Sequence, residues 1–167
     1  GDDILVGRSG TLPTMGKLST DNDVTNGDIY VAMLDPNTGT ADTIRIWRST
    51  DGGQQWSQVR TYAGSTSNGN IRDFDLIVGG DGNGTWLYTF VLFDSVLSVH
   101  RMRPSGAGVA WSRISSRADT ILSIAVDRNI ETPQHLFLCT EAANGRLYAQ
   151  SSQDSAVTWG QRCPFGM

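Results

Sequence analysis

The chain is predicted to be all-β, and three observations predict it. Its 167 residues include 19 glycines, which fall with Asp, Asn, Ser and Thr between short runs of Val, Ile, Leu, Tyr, Phe and Trp. That is the punctuation of strands joined by turns. No stretch longer than a turn or two carries apolar residues at helical spacing. A strand, a tight polar turn and a Trp that opens the next strand recur three times, with Trp56, Trp111 and Trp159 lying 55 and then 48 residues apart. This period suits one four-stranded propeller blade. The predicted fold is therefore about three four-stranded antiparallel blades of a β-propeller, part of a larger closed ring.

The three copies align as Ile44 to Trp56, Val99 to Trp111 and Leu147 to Trp159. Upstream of each lies an aromatic-bearing strand at a matching offset: Asp28 to Val31, Trp86 to Thr89 and His135 to Leu138. Ahead of those lie Ile71 to Val78 and Ile121 to Val126, with Met15 to Ser19 as a weaker counterpart in the first unit. Each unit reads as strand, turn, apolar strand, loop, strand, turn, strand. The second strand is the most continuously apolar, as expected of one buried between neighbouring blades. The expected boundaries are 14–64, 65–117 and 118–167 for the blades. Residues 1–13 form a lead-in strand around Asp3 to Arg8, placed as the outer strand of a preceding blade.

Ser49-x-Asp51-x-Gly53-x-x-Trp56 fits the pattern Ser-x-Asp-x-Gly-x-x-Trp in full. The third copy keeps Ser152, Asp154 and Trp159 but has Ala156 where Gly is usual; the second keeps only Gly108 and Trp111, with Gly106 in place of Asp and Pro104 in place of Ser. The pattern resembles the Asp-box, the bacterial neuraminidase (BNR) repeat of sialidases and many other propellers. Its physical logic is structural. An Asp carboxylate accepts hydrogen bonds from N–H groups of its own turn, Gly53 admits positive φ, and the Trp ring buries apolar area over the turn. Ser49, Asp51, Gly53, Trp56, Gly108, Trp111, Ser152, Asp154 and Trp159 are accordingly assigned to hold hairpins, with no catalytic role.

The resemblance raises the question of sialidase chemistry, which uses an arginine cluster, a Tyr–Glu pair and an Asp acid/base. The family's Arg-Ile-Pro signature is absent; the nearest text, Gly7 to Pro13, does not match. The only glutamates are Glu131 and Glu141, against 15 aspartates. Glu131 reads as part of a polar turn and Glu141 as following a strand, and neither pairs with a Tyr at a defensible spacing. Glycoside hydrolysis needs two carboxylates across one cleft, and no motif selects a pair, so no catalytic residue is assigned.

Charge and composition exclude other classes. The net charge is −4 and Lys17 is the only lysine, so no basic stretch exists to follow a phosphate backbone. No apolar run approaches the roughly 20 residues of a membrane span. The sequence opens with Gly1 and carries no signal segment, as expected of a processed or excised piece. Cys139 and Cys163 are too few for a disulfide scaffold and lack metal-ligand spacing; they read as buried or half-buried thiols, or as one disulfide. Asp21-Asn22-Asp23 with Asn26-Gly27-Asp28, and Asp81-Gly82-Asn83-Gly84, group oxygens as a calcium loop does but read first as hairpin turns. Asn83-Gly84-Thr85 is a glycosylation triplet. His100 and His135 stand alone in or beside strands, and Trp47 and Trp86 are expected between blades rather than stacked on sugars. No cofactor or metal is expected.

The functional expectation is a non-catalytic Asp-box propeller segment of a secreted or cell-surface protein, acting in recognition or assembly. The alternative is part of a sialidase-like glycoside hydrolase whose catalytic residues lie largely outside this chain. A closed propeller typically needs four to eight blades. Expected partners are therefore further blades, from the same protein, another copy or another chain, with a glycan as a further candidate.

Overall fold

The computed structural model describes residues 18–35, 42–63, 70–81, 84–93, 96–104, 112–118 and 121–165. Their regular structure is entirely β: twelve strands in three four-stranded antiparallel sheets. The first sheet holds β1 (Leu18–Asn22), β2 (Ile29–Asp35), β3 (Thr43–Ser49) and β4 (Ser57–Ala63). The second holds β5 (Asp73–Asp81), β6 (Gly84–Leu92), β7 (Val96–Met102) and β8 (Ser112–Ala118). The third holds β9 (Ile121–Arg128), β10 (Leu136–Ala142), β11 (Leu147–Ser152) and β12 (Cys163–Pro164). Each sheet is a simple meander in which every strand pairs with its sequence neighbour. The first strand of each sheet packs on the first strand of the next, β1 on β5 and β5 on β9, so these three are innermost.

Residue alternation explains the stacking. Tyr30, Ala32, Ile44 and Ile46 from the first sheet meet Phe74, Leu76, Val78, Leu87 and Val91 from the second in one core. Ile77, Tyr88, Phe90, Leu92 and Val99, from the second sheet, meet Ile124, Leu136 and Leu138 from the third in another. The second sheet is thus apolar on both faces, and β6 is buried along its last six residues. In β10 burial alternates instead, because only Leu136, Leu138 and Thr140 face the second sheet. A register shift falls before Trp47 in the first sheet and before His100 in the second, at matching places in the third strands.

Several sequence expectations change on contact with this architecture. Of the strand expected at Met15 to Ser19, Leu18 and Ser19 lie in β1, which continues to Asn22, so Asp21 and Asn22 belong to a strand rather than a loop; Met15, Gly16 and Lys17 lie outside the described residues. Glu141 lies inside β10. Cys139 and Cys163 are exposed free thiols, not buried ones. Both pair with Ala149, one on each side, so two strand spacings separate them. That is about 10 Å, too far for a disulfide. The lead-in strand expected in residues 1–13, Gly108 and Trp111 lie outside the described residues.

Candidate functional site

The turns after β3 and β11 are built alike. Asp51 N and Gly53 N donate to Ser49 Oγ at 3.4 and 2.8 Å, and Ser49 Oγ donates to Asp51 Oδ1 at 2.8 Å. Gln54 N and Gln55 N then donate to the same carboxylate oxygen at 3.0 and 2.9 Å. In the other turn, Asp154 N and Ala156 N donate to Ser152 Oγ at 3.4 and 2.9 Å, and Thr158 N donates to Asp154 Oδ1 at 2.8 Å. The Gln55 N–H and the Ser49 hydroxyl hold the Asp51 carboxyl below its ordinary value. Burial pushes Asp154 up, but the Thr158 hydroxyl and N–H and the Ser152 hydroxyl outweigh it, and the net shift is downward.

The two turns differ at their ends. Gly52 and Gly53 carry the left-handed backbone, at φ 71° and 91°. Ser155 and Ala156 adopt the same conformation without being glycine, at φ 61° and 63°. Trp56 Nε1 donates to Gly53 O at 2.9 Å, closing its ring over the turn. The Trp159 ring instead packs edge-on against Phe90 at 5.9 Å, joining the core between the second and third sheets.

A second set of carboxylates works across sheets. Leu76 N donates to Ser19 Oγ at 2.9 Å and Val78 N to Asp21 Oδ2 at 2.7 Å, which ties β5 to β1. Ile124 N and Val126 N donate to Asp73 Oδ2 and Asp75 Oδ2, each at 3.0 Å, which ties β9 to β5. Arg128, on β9, reaches back to the first sheet. Its Nη1 pairs with Asp21, and its Nη2 donates to Asn22 O at 2.8 Å. The three innermost strands are therefore laced together by inward carboxylates and one buried guanidinium.

Clefts open between sheets at the end carrying these turns. One, of about 270 Å³, is lined by Asn26, Tyr30, Arg48, Gly84, Thr85, Arg103 and Pro104. Arg48 grips Asp28 through Nε, at 2.8 Å, and Nη2. Arg103 stacks on Trp86, with its guanidinium carbon 3.8 Å from the ring centre, and donates to Thr85 O at 3.0 Å. Burial pushes the Tyr30 hydroxyl up to about 12; Arg48 opposes the shift, and Asp28 and Asp23 add to it. A neighbouring cleft of about 400 Å³ includes Asp23, Val24, Gly79, Thr85 and Pro133 among its walls.

The remaining sequence candidates have specific surroundings. Asp23 to Asp28 is a hairpin turn: Gly27 N donates to Asp23 O, Thr25 N to Asp23 Oδ1 and Asp28 N to Asn26 Oδ1, at 2.8 to 2.9 Å. Asp81 and Gly84 close the β5–β6 hairpin; Gly82 and Asn83 lie outside the described residues. Thr85 of the glycosylation triplet donates its hydroxyl to Asp23. His100 is buried against Tyr62, whose hydroxyl lies 3.3 Å from Nε2. His135 Nδ1 lies 3.1 Å from the Thr132 hydroxyl, within the loop that carries Glu131. Glu141 accepts from Ser123 Oγ at 3.0 Å. Trp47 is half-buried with its indole N–H enclosed, and Trp86 is the platform beneath Arg101 and Arg103. Among the described residues no group of three His, Cys, Asp or Glu is placed to hold a metal ion. Sequence reading missed Tyr30, Arg48 and Arg103 as a group because they come from two sheets and share no local spacing.

No family model matches the chain, and no curated protein matches it. Solved structures do. An exo-β-1,3-galactanase from Phanerochaete chrysosporium matches with a TM-score of 0.60 at 11% identity, covering 88% of this chain and 35% of that one. A GH93 α-L-arabinofuranosidase of Fusarium graminearum matches at 0.59 and 14% identity, covering 88% and 47%. The NanB sialidase from Streptococcus pneumoniae matches at 0.51 and 15% identity, covering 75% and 19%. The chain therefore covers less than half the length of each of these structures. At such identities the likeness is one of fold, and the fold is that of a β-propeller present in part.

Proposed function

We propose that the chain is a non-catalytic Asp-box propeller segment of a secreted or cell-surface protein, and that it acts in recognition or assembly. The observation that carries this reading is where the carboxylates are spent. Asp51 and Asp154 accept from N–H groups of their own turns, and Asp21, Asp73 and Asp75 from N–H groups of the next sheet. A carboxylate committed to backbone donors is engaged in holding structure, and in Asp51 and Asp154 those bonds also hold the carboxyl below its ordinary value. The Ser49 and Ser152 turns share the Ser–Asp bond, the two N–H bonds to the Ser hydroxyl and one N–H bond to the Asp carboxylate, which supports the Asp-box assignment. The secreted assignment follows from that resemblance; no helix among the described residues is long and apolar enough to cross a membrane.

Assembly is supported by the outer face of the third sheet. Phe137, Leu147 and Phe165 are 46%, 52% and 55% exposed there, where the two preceding interfaces bury their counterparts. Further blades are the partner proposed for it. The second reading, a partial sialidase-like glycoside hydrolase, is favoured by one observation: the galactanase, arabinofuranosidase and sialidase structures that this chain resembles in fold are glycosidases, and it covers less than half of each. Fluorogenic sialoside, arabinofuranoside and galactoside substrates separate the two. The proposed function expects no turnover by the purified chain. Turnover abolished by a carboxylate substitution that leaves the melting temperature unchanged establishes the enzyme reading instead.

A further inference from the structure

The cleft between the first and second sheets has an unusual donor set. Tyr30 is 1% exposed, it lines this cleft, and its hydroxyl makes no hydrogen bond with any described residue. Arg48 spends Nε and Nη2 on Asp28 and keeps Nη1 uncommitted. Asn26 spends Oδ1 on Asp28 N, which leaves its amide Nδ2 to donate. Arg103 is fixed in the opposite wall by Trp86 and Thr85 O. Gly84 keeps that wall close: a Cβ there would lie 3.2 Å from Arg103 Nη1. Neither nearby carboxylate lines this cleft. Asp28 is turned to Arg48, and Asp23 is turned to Thr25 N and the Thr85 hydroxyl.

We propose that this cleft binds a small oxyanion, the carboxylate, sulfate or phosphate group of a compact ligand, through Tyr30 Oη, Arg48 Nη1 and Asn26 Nδ2, with Arg103 as the opposing cationic wall. The uncommitted groups of Tyr30, Arg48 and Asn26 are donors. Arg48 Nη1 and Asn26 Nδ2 can only donate, and the Tyr30 hydroxyl donates as well as accepts; an oxyanion brings only lone pairs and can take all three donors at once, whereas a sugar hydroxyl brings a proton that Tyr30 alone among them could accept. Burial that holds the Tyr30 phenol protonated keeps it a donor across the ordinary pH range. The volume of about 270 Å³ admits a group larger than the anion alone. This site deepens the recognition reading, yet it stands or falls on its own measurements.

The test is a titration of the isotope-labelled 167-residue chain, followed by amide and arginine Nε–H resonances. Sodium sulfate, sodium phosphate and glucuronate are the probes, with sodium chloride at matched ionic strength and glucose as controls. The expected result is saturable shifts centred on Asn26, Tyr30 and Arg48 with at least one oxyanion. The order of affinity then says which anion the cleft prefers. Tyr30→Phe is expected to weaken binding about tenfold while leaving the ligand-free melting temperature unchanged, because its hydroxyl holds nothing in the chain. Arg48→Gln is expected to weaken it by at least as much. Shifts that track ionic strength without saturating overturn the site. So does full affinity in Tyr30→Phe, or glucose binding as tightly as glucuronate. An adventitious ion only, bound with no dependence on either residue, overturns it as well. Failure here with an intact fold leaves the recognition-or-assembly reading in place.

Discussion

Gly79 is where the third sheet leans on the second, and replacing it by alanine tests the packing directly. A Cβ at this position would lie 2.7 Å from Pro133 O and 2.9 Å from Tyr88 Cε2. Neither neighbour yields readily. Tyr88 is fully buried between the second and third sheets. Pro133 belongs to a loop pinned by Asn129 N to His135 O at 2.9 Å and His135 N to Thr132 O at 2.7 Å. Over-packing of this kind costs about 1–3 kcal/mol. Losing a glycine from the unfolded chain returns roughly 0.4–1 kcal/mol, so the net loss is about 1–2 kcal/mol. For a chain this long that lowers the melting temperature by about 2–8 °C. Gly80→Ala is the internal control. It has the same effect on the unfolded chain, but its Cβ meets nothing nearer than Gly84 O at 3.4 Å. Urea unfolding of both variants, with equal m-values, isolates the contact. If Gly79→Ala proves as stable as Gly80→Ala, the Pro133 loop does not rest on β5, and the stacking of the third sheet is misjudged.

Three further outcomes are expected. Ser155→Gly removes a non-glycine residue from φ 61° and should stabilise by about 1 kcal/mol, read as a higher urea midpoint. Asp51 and Asp154 both titrate below their ordinary 3.8 in the folded chain, so their contribution is present above pH ~4 and is lost as pH falls through the folded values. Acid unfolding should accordingly steepen below pH ~4, and Asp51→Asn should flatten that slope. Phe137→Asp, on the open face of the third sheet, should abolish concentration-dependent association in light scattering and leave the β-sheet circular dichroism unchanged.

The legible parts of this protein are those whose bonds close within a few residues. Ser49, Asp51 and Gly53 contact one another inside a single turn, so their spacing alone reports the hairpin, and Ser152 and Asp154 repeat it. Strand positions follow from apolar runs and turn residues for the same reason. Ala156 looks like a departure from the pattern, yet its backbone takes the left-handed conformation regardless. The two Ser and Asp hydrogen bonds dictate the turn, and the substitution costs strain rather than shape. What stays hidden in the sequence are bonds that close over 51 to 57 residues: Ser19 to Leu76, Asp21 to Val78, Asp73 to Ile124 and Asp75 to Val126. A signal for them does exist. Asp21 and Asp75, on the first strands of successive sheets, are 54 residues apart, close to the 55 that separate Trp56 from Trp111.

That lacing also explains why the open face of the third sheet matters. Each interface within the chain combines an apolar layer with inner-strand oxygens that accept from the next strand's N–H groups. The oxygens set which residues stand opposite each other, and the apolar layer supplies most of the free energy. On the third sheet both components face outward. Phe137 and Leu147 supply apolar area. Ser123, on the innermost strand β9, faces the same way, and its Oγ donates to Glu141 on β10 of the same sheet, whereas Ser19 Oγ crosses from the first sheet to Asp75 and Leu76 N of the second. A generic hydrophobic partner would cover the first component and leave the second unmatched. A strand presenting regularly spaced N–H groups satisfies both, and the innermost strand of another blade is such a strand. For the further blade proposed above as the partner, the apolar component would come from Phe137 and Leu147 and the hydrogen-bonding component from Ser123 and Glu141.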